Sequence, residues 1–139
     1  MYLLDTNVVS ETRKIRPGKA NPGLAAWVAG TEAGELYLSV VTLQELTIGV
    51  LRMERRDPVQ GSALRKWLEE QVLPGFVGRI LAVDQRVAVH SAQLQVPDPR
   101  PVADCFIAAT AKVHNLILVT RNTVDFQGTG AQLFNPWTP

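Results

Sequence analysis

The stretch Tyr2-Leu3-Leu4-Asp5 is a short continuous apolar run that ends in a carboxylate. Two later apolar runs are also followed by a polar side chain with an oxygen. The run Leu36 to Val41 precedes Glu45, and the run Leu116 to Thr120 precedes Asn122. Apolar runs that do not alternate with polar residues, and that are separated by helical segments, are typical of parallel strands covered on both faces. The chain is therefore predicted to be an α/β protein whose sheet is mostly parallel.

The remaining segments complete this prediction. Further strands are expected at Arg79 to Val83 and Ala131 to Phe134, which gives about five strands in all. Apolar residues at helical spacing, with capping residues and prolines at the starts, predict helices between the strands. These helices are expected at Val8 to Arg13, from Asn21-Pro22 onward, at Thr42 to Arg56, from Asp57-Pro58 to Leu73, from Asp84 to Leu94 and at Pro101 to His114.

Length and composition set the class of protein. The chain has 139 residues, of which 46% are hydrophobic, and this length predicts one globular domain over residues 1–139. The net charge of +1 gives no whole-molecule signature of nucleic-acid binding, but an acidic site can offset a basic rim. The single cysteine excludes an internal disulfide and favours a reducing, cytoplasmic setting. A strand pattern directly after Met1 leaves no room for a signal peptide, and no apolar run approaches the ~20 residues that cross a bilayer.

Three carboxylates lie where a buried element begins or ends. Asp5 follows the first strand, Glu45 lies in the first turn of the helix after the second, and Asp104 shares a helix face with apolar residues. Because parallel strands place their ligands beyond their carboxyl ends, Asp5, Glu45 and Asn122 are expected at one edge of the sheet. A buried carboxylate is costly unless it is paired, protonated or bound to a cation, so the pattern favours a cation site.

Each of these acids also has a purely structural explanation. Asp5 and Asp84 both follow strands and can cap the next helix. Glu45 is the last residue of a capping box that begins at Thr42. Asp104 can interact with the dipole of its helix. Turn chemistry explains Asn122 and its neighbour Asp125, either of which can supply an oxygen ligand to the acidic cluster.

Other chemistries find little support. Cys105 and His114 lie nine residues apart on one helix, so they face opposite ways, and Cys105 is read as a small buried hydrophobe. His90 and His114 are too few and too far apart for a zinc site.

Four motifs in register resemble PIN domains, and within them the VapC toxins, particularly the FitB subgroup. The resemblance rests on Leu3 to Ser10 and on the segment Val40 to Gly49, which contains a Glu-Leu-x-x-Gly helix. The other two motifs are the segments Asp104 to Ala111 and Leu118 to Phe126. The segment Leu73 to Leu81 and the ending Phe134-Asn-Pro-Trp137 carry the closer likeness to FitB. The loop Gln95 to Val102 is hard to match.

The resemblance implies a ribonuclease that depends on Mg²⁺ or Mn²⁺ and is held inactive by a cognate antitoxin of the VapB or FitA kind. It also implies a homodimer. Asp5, Glu45 and Asp104 match the family's three core acidic positions, and all three are expected to hold metal and to be catalytic. The family's fourth acid is replaced by Asn122, which is expected to be catalytic as a weaker ligand or as a residue that positions water. The alternative is that Asp125 reaches into the site instead. Rival interpretations are a binding protein with a decayed nuclease site and a receiver-like signalling module.

The expected roles follow from metal-assisted hydrolysis of phosphodiesters. Asp5 and Asp104 are expected to bind a metal directly, and Glu45 to bind through water or to orient the attacking water. Thr6 and Thr120 are expected to hold carboxylates in place by hydrogen bonds. Basic residues on the rim, in the clusters 13–19 and 52–56, are expected to hold the RNA backbone.

The tryptophans suggest how a partner binds. Trp27 follows the basic loop and is expected to line a groove for an apolar peptide, whereas Trp67 is expected in the core. Such a partner is expected to present an arginine to the acidic cluster and to displace the metal.

Overall fold

Five parallel strands form one sheet covered by six helices in the computed structural model, which describes residues 1–139. The strands are β1 (Tyr2–Leu4), β2 (Leu36–Ser39), β3 (Ile80–Leu81), β4 (Ile117–Val119) and β5 (Leu133–Phe134). The helices are α1 (Thr6–Thr12), α2 (Pro22–Ala29), α3 (Val40–Arg56), α4 (Pro58–Trp67), α5 (Gln85–Gln93) and α6 (Val102–Val113). A π-helical turn at Leu68–Val72 and a last turn at Leu73–Gly75 continue α4, and 3₁₀ turns lie at Ala33–Glu35 and Thr123–Phe126. The predicted fold class is confirmed.

The strand order β3-β2-β1-β4-β5 places the first strand at the centre of the sheet. Tyr2 pairs with Leu36 of β2 on one side and with Ile117 of β4 on the other, all in parallel register. The chain extends the sheet from β1 through β2 to β3 and then crosses to β4, so the strand order reverses at β1. In open α/β sheets a crevice forms at such a switch point, beyond the carboxyl ends of the strands.

Two apolar cores, one on each face of the sheet, follow from the alternation of side chains along a strand. Leu4 packs on one face with residues of α1, α2, α3 and α4, including Val8, Leu24 and Leu46. Its neighbour Leu3 packs on the other face with Ile107 of α6. The covering of both faces explains why the strands read as continuous apolar runs.

The starts of two helices differ from the prediction. Ser39 caps α3 by accepting the amide N–H of Val41 at 3.0 Å, so α3 begins at Val40 and Thr42 lies inside the helix. The prediction of a capping box from Thr42 to Glu45 is therefore wrong. Helix α1 begins at Thr6 with Asp5 as its N-cap residue, two residues earlier than expected.

Other boundaries agree closely with the prediction. Asp84 caps α5 by accepting the amide N–H of Val87 at 2.9 Å, as expected. Asn21 likewise caps α2, with Pro22 at its first position. None of the helices has the length and apolar character required to cross a membrane.

Candidate active site

Asp5 lies at the carboxyl end of β1 and is almost fully buried, with 7% of its surface exposed. Its Oδ1 accepts the backbone N–H of Thr6 at 2.8 Å, and its Oδ2 accepts the Thr120 hydroxyl at 2.8 Å and the Asn7 side-chain amide at 3.1 Å. Burial raises the pKa of the Asp5 carboxyl, and repulsion from Glu45 adds to that rise, while the three hydrogen bonds oppose it. Asp5 thus caps α1 and also faces a second carboxylate.

Glu45 is brought to the same place by α3. Its Oε1 accepts the hydroxyl of Thr6 at 2.5 Å, and this bond joins α3 to the first residue of α1. Since Ser39 rather than Thr42 caps α3, helix capping does not explain Glu45. The expected hydrogen bonds from Thr6 and Thr120 to carboxylates are therefore confirmed.

Asp104 lies in the first turn of α6, where it is half-buried. Burial raises the pKa of its carboxyl, and repulsion from Asp5, Asp125 and Glu45 raises that pKa further. The charges of Asp5, Asp125 and Glu45 thus all act on the Asp104 carboxyl. Asp125 is the one of the two alternatives, Asn122 and Asp125, whose charge does so.

Arg100 connects the loop before α6 to the turn that carries Asp125. Its guanidinium donates to the backbone carbonyl oxygens of Gln127 at 2.8 Å and Asp125 at 3.4 Å. Its positive charge also lowers the pKa of the Asp104 carboxyl, against the larger effects that raise it. The side chain of Gln95 holds this loop, because it donates to the carbonyl oxygen of Arg100 and accepts the backbone N–H of Arg100. Arg100 was not identified from the sequence, because no pattern pairs a loop arginine with carbonyls some 25 residues away.

Asn122 is exposed, and only its backbone makes hydrogen bonds: its N–H donates to the Thr120 hydroxyl oxygen at 3.0 Å, and its carbonyl oxygen accepts the N–H of Asp125 at 3.0 Å. Its side-chain amide makes no hydrogen bond. Asn7 is more deeply involved, because it donates to Asp5 and Thr120 through Nδ2 and accepts the N–H of Arg121 through Oδ1. Asn7 was not among the site residues predicted from the sequence.

The chemistry of these side chains fits a hard divalent cation. Oxygen donors favour Mg²⁺ and Mn²⁺, and a nearby cation would relieve the mutual repulsion that raises the pKa values of Asp5 and Asp104. No group of three or more acidic, histidine or cysteine side chains is arranged so that it could hold a metal ion by itself. Mg²⁺ commonly keeps several waters and binds through only one or two carboxylates, so the fit to a cation rests on the oxygen chemistry of these side chains.

An apolar groove of about 520 Å³ lies on the face covered by α1, α2 and α4, and none of the four carboxylates lines it. It is lined by Val9 and Ile15, by Trp67 and Phe76 from the α4 segment, and by the basic residue Arg16. The predictions for Trp67 and Trp27 are therefore wrong in part. Trp67, which was expected in the core, packs against the core but also lines this groove.

Trp27 is held on the other side of α2. Its ring meets that of Tyr2 edge to face at 5.2 Å between centroids and lies 5.6 Å from the ring of Phe134. It borders a smaller hollow with those two residues rather than the large groove. The physical reason is that α2 turns this face toward β1 and β5, which the helix pattern alone does not specify.

Comparison with known proteins places this fold and site in a family. The family model described as PIN domain matches residues 2–130. The chain is 38% identical to "Toxin FitB" of Neisseria gonorrhoeae over 99% of both chains, and 37% identical to "VapC ribonuclease Y4jK" of Sinorhizobium fredii over 100% of this chain and 99% of that one. The crystal structure of FitAcB from Neisseria gonorrhoeae matches it with a TM-score of 0.88 and 37% identity, with both chains fully covered. The chain therefore belongs to the PIN-domain family, in the VapC branch of toxins from toxin–antitoxin systems.

Proposed function

We propose that this protein is a divalent-metal-dependent endoribonuclease and the toxin of a toxin–antitoxin module. The observation that carries the proposal is the pair of carboxylates at the switch point of the sheet, Asp5 and Glu45, which Thr6 joins by donating its N–H to Asp5 and its hydroxyl to Glu45. The charges of both also act on the Asp104 carboxyl. Relatives of the chain along its whole length are named toxin and ribonuclease, which supports the same activity.

Asp5 and Asp104 are the residues best placed to hold a metal directly. Both have raised pKa values that a cation would lower, and the bonds that Asp5 receives from Thr120 and Asn7 fix its orientation. Mg²⁺ or Mn²⁺ bound there would offset the charge of the phosphodiester and make a water more acidic. We assign the fourth oxygen ligand to Asp125, because its charge acts on the Asp104 carboxyl, whereas the Asn122 side chain makes no hydrogen bond; both residues are exposed and so open to a ligand.

Glu45 is assigned to the attacking water. Thr6 donates to Oε1 of Glu45 and thereby fixes the carboxylate, while Oε2 makes no hydrogen bond in the protein. A fixed carboxylate with one free oxygen can orient a water and accept its proton. Thr6 is then a positioning residue, because it acts through Glu45.

A small antitoxin protein is the proposed partner. The groove lined by Trp67 and Phe76 is mostly apolar, which suits the apolar face of an amphipathic helix, a common mode of peptide recognition. An arginine from such a partner would neutralise the carboxylates in place of metal. A homodimer is also proposed, on family membership alone.

Cleavage of total cellular RNA by the purified protein with Mg²⁺ or Mn²⁺ tests the proposal, with Asp5→Asn as the control. We expect cleavage by the wild type only, and only with metal. Cleavage that persists in the presence of a chelator contradicts metal dependence, and no cleavage at all favours a decayed binding protein. Expression of the chain with and without the small neighbouring reading frame tests the toxin assignment, which fails if the protein alone is harmless.

A further inference from the structure

The last residues of the chain, 135–139, are fastened to the start of α2. Asn21 accepts the backbone N–H of Thr138 at 3.0 Å through Oδ1 and donates to the carbonyl oxygen of Thr138 at 3.0 Å through Nδ2. A Cβ atom on Gly23 would lie 2.6 Å from the carbonyl oxygen of Pro136 and 2.7 Å from the backbone nitrogen of Thr138. The tail is thus seated so closely that only glycine fits beneath it.

This tail carries Trp137 to a position beneath Arg121. The guanidinium carbon of Arg121 lies 5.8 Å from the centre of the Trp137 ring, within the range of a cation–π contact. Trp137 also packs against the core on its other side. Stacking on a ring restrains the flat guanidinium while its N–H groups stay free at the edges.

Arg121 has no anionic partner in the protein. It is exposed and forms no ion pair. The acid that it approaches, Glu11, is already bound by Lys14 Nζ at 3.1 Å and by the N–H of Asn21 at 2.9 Å. A restrained and unpaired guanidinium is suited to a phosphate.

The backbone of Arg121 places it at the rim of the acidic site. It follows Thr120 directly, and its N–H donates to Oδ1 of Asn7 at 3.2 Å. Arg121 is nevertheless not the cation that lowers the pKa of the Asp104 carboxyl, because that cation is Arg100. Arg121 therefore lies beside the acidic cluster without neutralising it.

We propose that Arg121 binds a phosphate of the RNA next to the one that is cleaved, and that Trp137 is a positioning residue that holds the guanidinium for this contact. The inference rests on the proposed ribonuclease function. It assigns the C-terminal tail a role in substrate binding.

The test measures binding of a labelled single-stranded RNA oligonucleotide of mixed sequence at several salt concentrations. Full-length Asp104→Asn protein is the parent, so that the RNA survives the measurement. Adding Arg121→Ala should weaken binding about tenfold, because a charge-assisted bond is lost. The dependence of log affinity on log salt should also become shallower by about 0.7, the value for one phosphate contact on a single strand.

Three further variants separate positioning from charge. Arg121→Lys keeps the charge but loses the planar guanidinium that packs on the Trp137 ring. It should therefore retain the salt slope and recover only part of the affinity. Gly23→Ala keeps both the Arg121 and Trp137 side chains but displaces the tail and with it the Trp137 ring, and it should weaken binding by about two- to fivefold with the slope unchanged. Trp137→Phe retains a ring and should bind nearly as the parent does.

The control is Lys112→Ala, which removes one exposed cation in the last turn of α6, about 12 Å along the helix from Asp104 and outside both basic clusters. This variant should change neither affinity nor slope by a comparable amount. The proposal is overturned if Arg121→Ala binds as the parent does, or if Lys112→Ala loses as much. It is also overturned if the parent binds no RNA, in which case the ribonuclease proposal falls with it. Normal RNA cleavage by the wild type with an unaffected Arg121→Ala variant overturns this inference alone.

Discussion

The hydroxyl of Thr120 donates to Oδ2 of Asp5 at 2.8 Å, and this hydrogen bond connects the ends of β4 and β1 across the point where the strand order reverses. Both residues are buried, so water cannot replace the bond. The same hydroxyl oxygen accepts the N–H of Asn122, which fixes the turn after β4. One side chain thus orients the central carboxylate and the segment that leads to Asp125.

Thr120→Val should therefore impair both stability and activity. The loss of a buried donor leaves an oxygen of Asp5 with one fewer partner, and we expect the free energy of unfolding to fall by about 1–3 kcal/mol. Activity should fall by about 10- to 100-fold, the usual cost of losing a group that orients a metal ligand. Denaturant unfolding and RNA cleavage measure the two effects. Thr120→Ser keeps the hydroxyl and is the control, and equal losses in both variants would mean that the methyl group matters rather than the bond.

Asp104→Asn should reduce cleavage by at least about 100-fold while the protein remains folded. Without metal its melting temperature should equal or exceed that of the wild type, because the change removes a carboxylate that is repelled by Asp5, Asp125 and Glu45. Cleavage at the wild-type rate with Mg²⁺ would refute the assignment of Asp104.

The pH dependence of stability gives an independent check on Asp104. Its pKa is raised in the folded protein above the ordinary value of 3.8, so its ionisation opposes folding as the pH rises through the folded pKa. The difference in melting temperature between Asp104→Asn and wild type should therefore be small below about pH 4 and should grow in favour of the variant toward pH 7. A difference that shrinks as the pH rises would contradict the direction of the shift. Measurements are made with a chelator present.

Metal should raise the melting temperature, because a ligand that binds only the folded state stabilises that state. Mn²⁺ should do so at least as well as Mg²⁺. Asp125→Asn should move the metal titration to higher concentration, because it removes the proposed fourth oxygen ligand. Asn122→Asp should tighten binding through added negative charge. An effect of Asp125→Asn no larger than that of Asn122→Ala would return the fourth position to Asn122.

Trp67→Ala should weaken binding of the antitoxin by about 30-fold or more, since a tryptophan that lines a groove is a typical hot spot. Trp27→Ala is the matched control, because that ring packs on Tyr2 and Phe134 outside the large groove. Calorimetry or pull-down with the co-expressed neighbour measures the difference, and circular dichroism confirms that each variant is folded. If Trp27→Ala is the more harmful change, the partner does not bind in this groove.

Continuous apolar runs such as residues 2–4 and 116–119 were enough to predict the sheet, because they have no stable place except between two layers of helices. The chain also predicted Asp5, Glu45 and Asp104 as site residues, since each sits at a predictable end of an element and a buried charge is costly unless it is paired or bound, and it left the choice between Asn122 and Asp125 open. Only the tertiary structure showed which irregular segments meet beside these residues. Arg100 and Asp125 meet because a loop and a 3₁₀ turn fold against each other, and such contacts between distant irregular segments leave no periodic pattern in the chain. The orientation of α2 likewise turned Trp27 away from the groove and left that position to Trp67, because packing against β1 and β5 sets the rotation of a helix with a weak apolar face.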